Sequence, residues 1–238
     1  MRELAAWPEP ERRDPRRSMP TWAVRGPLAE WLRAEAHFAA GRERCRVLDV
    51  GCGPKPYYPF FAEVAHSYVG VDVQNPAAEL EGTVESIPAD DGAFDIVLCT
   101  QVLEHAADPA AAVRELRRVT APGGRVLAST HGVQVYHPNP DDYWRWTHRG
   151  LEKLFSENGT WSSVVVTPGS GTAACIGMLI NVYASLALER LRAPAASRAF
   201  AAVVNRLAAG MDARSARLRG PGPGSLHANY HVVAEVAP

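Results

Sequence analysis

Residues 47–58 read VLDVGCGPKPYY. The short apolar run RVLDVG, ending in Asp49 and Gly51, has the make-up of a buried parallel strand whose carboxyl end opens into a loop. Gly51 and Gly53 let the backbone come close to a ligand, and Asp49 stays beside them as a fixed negative charge. A dinucleotide site needs a third glycine just beyond, where the following helix packs against the strand; Pro54-Lys55-Pro56 stands there instead. A nicotinamide or flavin dinucleotide is therefore disfavoured. A fixed carboxylate in the turn repels phosphate and attracts a cation.

The flanking sequence alternates strands and helices. Upstream, TWAVRGPLAEWLRAEAHFAAG spaces Trp22, Leu28, Trp31, Leu32 and Phe38 at helical intervals, which predicts a helix over about 27–40 stopped by Gly41. Downstream, PYYPFFAEVA predicts a short helix, SYVGVDV a second strand ending at Asp72, GTVESIP a weak third strand and FDIVLCTQ a fourth. In DPAAAVRELRRVTAPGG, Asp108 caps a helix of about a dozen residues, Pro109 takes its first position and the glycines stop it. RVLASTHG is strand five, THRGLEKLFSENG a helix, WSSVVVTPG a strand and SLHANYHVVAEVAP the final strand. Such alternation makes βαβ units, hence a parallel sheet covered on both faces, with ligands at strand carboxyl ends near the point where strand order reverses. Asp49 to Gly53, Asp72, Thr100 to His105 and Ser129 to His131 sit at such ends.

With 238 residues, 47% of them hydrophobic, the chain suits one α/β domain over 21–238. Residues 1–20 have no apolar core of signal-peptide length, and their prolines and mixed charges predict a flexible or partner-dependent arm. Four cysteines without a CxxC pair read as reduced, buried thiols, and a cytoplasmic address is expected. A net charge of −1 gives no bulk reason to expect nucleic acid, so a small-molecule partner is the expectation. About 55 residues before the last strand exceed what the core needs, and they hold two helical stretches within about 172–218. The first has a run of about 16 apolar residues, too short for a stable membrane span and interrupted by Asn181, Tyr183 and Ser185. A packed lid or a homodimer contact is expected of these helices.

A ligand with an amino-acid head, a sulfonium and a nucleoside meets the demands of the turn, and S-adenosylmethionine is such a ligand. VLDVGCGPKPY, YVGVD and SIPADDGAFDIVLCTQVLEHAADPAAAVRELRRVTAPGGRVLAST resemble, in order and spacing, the class I S-adenosylmethionine-dependent methyltransferases over about residues 45–170. The KPY continuation and the segment DYWRWT look most like a subgroup associated with bacterial small-molecule or glycan pathways. The resemblance implies a Rossmann-like, doubly wound, mostly parallel seven-stranded α/β sheet with a helical insertion before the last strand. It implies that Asp49, Gly51 and Gly53 line the methionine end of the cofactor, that Asp72, followed by Val73, accepts both ribose hydroxyls, and that Thr100 and Gln101 meet the methionine portion. The family usually has an acidic residue for the adenine amine where this chain has Thr83; the Thr83 hydroxyl and the Val84 amide are the expected substitutes. S-adenosylhomocysteine is the implied product.

Methyl transfer from a sulfonium is an in-line displacement that depends mainly on positioning. Where the nucleophile must lose a proton, histidine is the natural base near neutral pH, and His131 and His137 are the candidates. His105 in VLEH matches a family position with a mainly structural role. In YHPNPDDYWRWT, Tyr136, Asp141, Tyr143 and Arg145 are candidate substrate contacts, while Trp144 and Trp146 are expected to anchor the loop and Asp142 to pair with Arg145. No ligand cluster with metal-site spacing is visible, so no metal is expected. Alternatives are a cofactor-binding enzyme that does not methylate, such as a cyclase, and a partner-binding protein with a decayed site.

Overall fold

The structure, a computed structural model, describes residues 7–39 and 44–238. The glycine stop expected at Gly41 and the first six residues of the arm lie outside the described residues. One seven-stranded sheet is built from β1 (Cys45–Val50), β2 (Ala65–Asp72), β3 (Leu80–Glu81), β4 (Phe94–Thr100), β5 (Thr120–His131), β6 (Ser163–Pro168) and β7 (Asn229–Glu235). Its order is β3-β2-β1-β4-β5-β7-β6. Pairing is parallel from β3 to β5, and β7 runs antiparallel to both its neighbours. Strand order reverses between β1 and β4, so the crevice at their carboxyl ends is the place for a ligand.

Both faces of the sheet are buried. Leu48 and Val50 of β1, with Val97 and Cys99 of β4, pack into one cluster, while Val47, Ile96 and Leu98 pack into another on the opposite face. This is the period-two split of strands covered on both sides, and it explains why these segments read as continuous apolar runs. The first cluster is closed by the helices Pro109–Val119 and His148–Asn158, the second by the helix Trp22–Ala39. Asp108 caps the Pro109–Val119 helix by accepting from Ala110 N and Ala111 N.

Four expectations are corrected. The third strand lies at Leu80–Glu81, and only an isolated Thr83–Ser86 bridge forms inside GTVESIP. Gly82 passes so near Pro88 that a Cβ would lie 2.7 Å from its Cδ, and Pro88 cannot donate to a ladder, so the segment folds back on itself. The helix after Asp108 ends at Val119 rather than at the glycines; Thr120 is already extended, and APGG is a bulge of β5 with Gly123 at φ 70°. The N-terminal helix starts at Trp22, with Pro27 inside it, because Ala23 and Val24 gain a buried contact with Ala174, Cys175 and Met178. Residues 7–20 are docked rather than free. Arg13 is buried and its guanidinium donates to the carbonyls of Trp7, Pro8 and Pro56, while Trp7 Nε1 donates to Lys55 O.

In chain order the helices are α1 (Pro10–Arg13), α2 (Trp22–Ala39), α3 (Tyr58–Phe61), α4 (Pro109–Val119), α5 (His148–Asn158), α6 (Thr172–Arg190), α7 (Pro194–Arg214) and α8 (Ala216–Arg219). The last three form the insertion before β7. Asp212 of α7 caps α6, accepting from Ala173 N and Ala174 N at 3.0 Å each. Asn205 receives a bond from Asn181 and donates to the carbonyls of Arg17 and Met19, tying the hairpin to the N-terminal segment. Because the Asp212 carboxylate is buried and supplies the α6 cap, Asp212→Ala is expected to lower unfolding free energy by about 2 kcal/mol in urea denaturation. α6 has 19 residues and is apolar enough to cross a bilayer by length and composition alone, which does not indicate a stable span. A third of its most apolar 18-residue window is buried against the domain. Ile176, Ile180, Tyr183, Val203, Leu207 and Met211 remain exposed along the hairpin.

Candidate functional site

A cavity of about 530 Å³ opens at the carboxyl ends of β1, β4 and β5. Its floor is the glycine turn after β1, one wall is Asp72 at the end of β2, and the other holds Glu104, His105, His131 and His137. Residues of the docked N-terminal segment and α2 close it: Arg12, Thr21, Val24, Arg25 and Leu28. A smaller cavity, about 220 Å³, lies at the opposite strand ends beside Asp95 and Arg125, away from the turn.

The turn is held open by specific contacts. Gly51 has φ 65°, and a Cβ there would lie 2.4 Å from Val102 Cγ2, so only glycine fits. Gly53 has φ 50°, and a Cβ there would meet nothing within 4 Å, leaving its face bare toward the cavity. Lys55, the residue that sets this turn apart from a dinucleotide loop, does not line the cavity. It is buried and pairs with Glu79, whose Oε2 also accepts Gly70 N at 2.6 Å. That strut ties the turn to β2.

Two carboxylates flank the turn. Asp49 is 2% exposed, and its Oδ2 accepts the Tyr68 hydroxyl at 2.6 Å. Burial pushes its pKa up to about 7, against the lowering effects of the Tyr68 bond and of Lys55. Asp72 accepts Gly53 N at 2.8 Å and Asn75 Nδ2 at 2.9 Å on Oδ2, and Val73 N at 2.8 Å on Oδ1. It therefore fastens the turn while facing the cavity. A carboxylate has about four acceptor positions, so Oδ1 retains capacity for a ligand hydroxyl. Gln101, at the end of β4, has φ 58° and donates from Nε2 to Ser129 Oγ and Asn229 Oδ1, but its buried Oε1 has no partner.

The other half of the cavity is built from VLEH and the loop between β5 and α5. Glu104 is fully buried, accepts Thr130 Oγ1 at 2.7 Å on Oε2, and places Oε1 3.2 Å from His131 Nε2. Burial raises the Glu104 pKa to about 7 and lowers that of His131 to about 3. His137 Nδ1 lies 3.0 Å from Asp142 Oδ2. The two sequence motifs are stitched together: Tyr143 N and Trp144 N donate to Glu104 O, Trp144 Nε1 donates to Ala106 O, and His105 Nδ1 meets Asp141 O at 2.7 Å. Arg145 forms a two-pronged pair with Asp142 and holds its carboxyl far below the usual range.

The fold thus brings Asp49, Gly51, Gly53, Asp72, Thr100, Gln101, His131 and His137 around one cavity. Val73, Thr83 and Val84 do not line it; Val73 and Thr83 are exposed and Val84 is buried elsewhere. Nor do Tyr136, Asp141, Tyr143 and Arg145: Tyr136 is 72% exposed, Tyr143 bonds Asp141, and Arg145 is engaged by Asp142. Trp144 anchors the loop through Ala106. Sequence reasoning missed Arg12, Arg25 and Glu104 as cavity groups. The acidic member of VLEH was the available signal for Glu104, whereas the placement of the arginines depends on docking of a segment that reads as an arm.

A methyltransferase-domain family matches residues 23–164. The "Ubiquinone biosynthesis O-methyltransferase" of Alkalilimnicola ehrlichii is 32% identical over 124 residues, covering 45% of this chain and 48% of that protein. A Mycolicibacterium smegmatis protein named "Probable S-adenosylmethionine-dependent methyltransferase" is 33% identical over 117 residues, covering 44% of each. The chain spans about half the length of these curated relatives. Among solved structures, the Burkholderia thailandensis 1,6-didemethyltoxoflavin-N1-methyltransferase, bound to 1,6-didemethyltoxoflavin and S-adenosylhomocysteine, aligns with a TM-score of 0.50 over 86% of this chain and 76% of that one. At 15% identity this is a likeness of fold.

Proposed function

The chain belongs to the methyltransferase-domain family, and from that premise we propose that it is an S-adenosylmethionine-dependent methyltransferase acting on a small-molecule acceptor. The observation that carries this reading is a single cavity in which the buried Asp49, the bare face of Gly53 and the strand-end Asp72 stand around the turn. The donor set fits the cofactor. Asp49 and the unpartnered Gln101 Oε1 suit an ammonium group, Arg12 and Arg25 suit a carboxylate, and Asp72 suits ribose hydroxyls.

When bound, S-adenosylmethionine supplies an electrophilic methyl group on a sulfonium. The chain's residues position and shield. Gly51 and Gly53 keep the turn open, the docked N-terminal segment and α2 close the cavity from one side, and the loop pinned by Glu104 O and Ala106 O closes it from the other. His131 and His137 face the acceptor half, where an acceptor hydroxyl or ammonium would lose its proton. The subgroup resemblance favours a bacterial metabolite or glycan intermediate. The exposed apolar face of α6 and α7 is the proposed surface for pairing two copies.

Purified protein incubated with S-adenosylmethionine and fractionated small-molecule extracts is expected to release S-adenosylhomocysteine together with a product heavier by one CH2. A product of unchanged mass formed without S-adenosylhomocysteine would instead favour the non-methylating reading. Removing Arg25, which lines the cavity from α2, is expected to weaken S-adenosylhomocysteine binding about tenfold through loss of a charge-assisted bond. Equal affinity in Arg25→Ala would remove Arg25 from the cofactor site.

A further inference from the structure

Glu104, His131 and His137 come from three separate segments, and each presents one ligand atom within 4.8 Å of the others. Two observations set this group apart from an ordinary hydrogen-bonded cluster. Glu104 is fully buried and His131 is 5% exposed, yet Glu104 Oε1, His131 Nδ1 and His137 Nδ1 all lack a hydrogen-bond partner, so the cluster gathers three polar atoms that a bound group would satisfy. His131 Nε2 approaches Glu104 Oε1 to 3.2 Å without forming a hydrogen bond. Ligand atoms bound at about 2.0–2.2 Å to one ion lie roughly 2.8–3.1 Å apart in an octahedral shell and roughly 3.3–3.6 Å apart in a tetrahedral one, so the 3.2 Å separation is within about 0.1 Å of either.

The surroundings agree. Asp142 Oδ2 accepts the His137 backbone N–H at 3.1 Å and stands 3.0 Å from His137 Nδ1 without a hydrogen bond to it, which holds the His137 main chain beside the cluster. Arg145 holds Asp142 from behind. His137 lies in the irregular stretch between β5 and α5, so its ring can close on the other two. His105 Nδ1 is engaged by Asp141 O and stays outside the ligand set. All three ligand residues line the cavity that contains Asp49 and Asp72.

We propose that Glu104, His131 and His137 form a divalent transition-metal site in the acceptor half of the cavity, and that the acceptor is an oxygen nucleophile that enters as a further ligand of the ion. This deepens the methyl-transfer reading and rests on it. Two imidazoles and one carboxylate suit zinc, iron(II), cobalt(II) or manganese(II) better than calcium or magnesium, and three protein ligands leave positions open. An acceptor hydroxyl bound there loses its proton to solvent more readily. Its oxygen lone pair then forms the O–CH3 bond while the S–CH3 bond breaks, the bonding pair staying on sulfur to give S-adenosylhomocysteine. No oxidant or reductant enters, and the two imidazoles serve as ligands rather than as free bases.

The test is equilibrium dialysis of tag-free protein against zinc, with cobalt(II) absorption as a second reading, for wild type, Glu104→Gln and His137→Ala. His137 has a partly exposed side chain, so His137→Ala reports even if Glu104→Gln fails to fold; far-ultraviolet circular dichroism identifies a folded sample. One ion per wild-type chain, with at least about 100-fold weaker binding in a folded variant, is expected. Wild type without zinc, or folded variants that bind it as tightly, overturns the site. S-adenosylhomocysteine calorimetry on the same samples separates the two readings. Cofactor bound without metal overturns the metal site alone. Metal bound without cofactor upholds the site and overturns the methyl-transfer premise.

Discussion

Asp72→Ala is expected to weaken S-adenosylhomocysteine binding by at least about 100-fold. In the cofactor reading Asp72 accepts two ribose hydroxyls, and hydrogen bonds to a charged acceptor contribute about 1.5–3 kcal/mol each, against about 1.4 kcal/mol per factor of ten. The side chain also receives Gly53 N and Asn75 Nδ2, so the substitution loosens the turn as well as removing the ligand contact. Asn75→Ala separates the two effects. It removes a bond to the carboxylate and another to Gly53 O but leaves the carboxylate in the cavity. The account predicts a small loss in Asn75→Ala and a large one in Asp72→Ala; equal losses in both would reduce Asp72 to a brace for the turn.

The second large effect is a pH dependence. Burial holds Asp49 near pKa 7 in the free protein, whereas pairing with a cofactor ammonium requires the ionised form. Binding below that value must release a proton. Affinity is therefore expected to rise about tenfold per unit as pH increases from about 5 to about 7, then to level off. The sign for folding is opposite. A carboxyl with a raised folded pKa keeps its proton longer in the native state, so its contribution to stability is present below about pH 4 and is lost as pH rises from about 4 to about 7. Asp49→Asn should abolish the pH dependence of binding, lower affinity at pH 8, and make the ligand-free protein more resistant to urea there. Retention of the wild-type pH profile in Asp49→Asn would show that another group governs binding.

What the sequence made legible was local. The run into Asp49, the φ-demanding glycines and the Asp108-Pro109 helix start each depend on neighbours a few residues away, and their positions follow from propensity and capping alone. Thr100 and Gln101 were legible for the same reason, as the end of an apolar strand. The remainder needed long-range packing. Nothing local in residues 7–20 announces that the Arg13 guanidinium will be buried on the Pro56 carbonyl, so a Pro-rich, charged segment reads as an arm although it carries Arg12 to the cavity. The meeting of Glu104, His131 and His137 depends on adjacent β4 and β5 and on a loop folded back over VLEH, and sequence spacing does not encode that. Tyr136 and Tyr143 failed as cavity residues because aromatic content marks a loop without saying which way its rings face; here both are exposed.

Calorimetric titration of wild-type protein with S-adenosylmethionine and S-adenosylhomocysteine tests the central claim most directly. The account predicts one site per chain, with micromolar affinity for both ligands. Absence of binding to either at millimolar concentration, by protein shown to be folded, would contradict it.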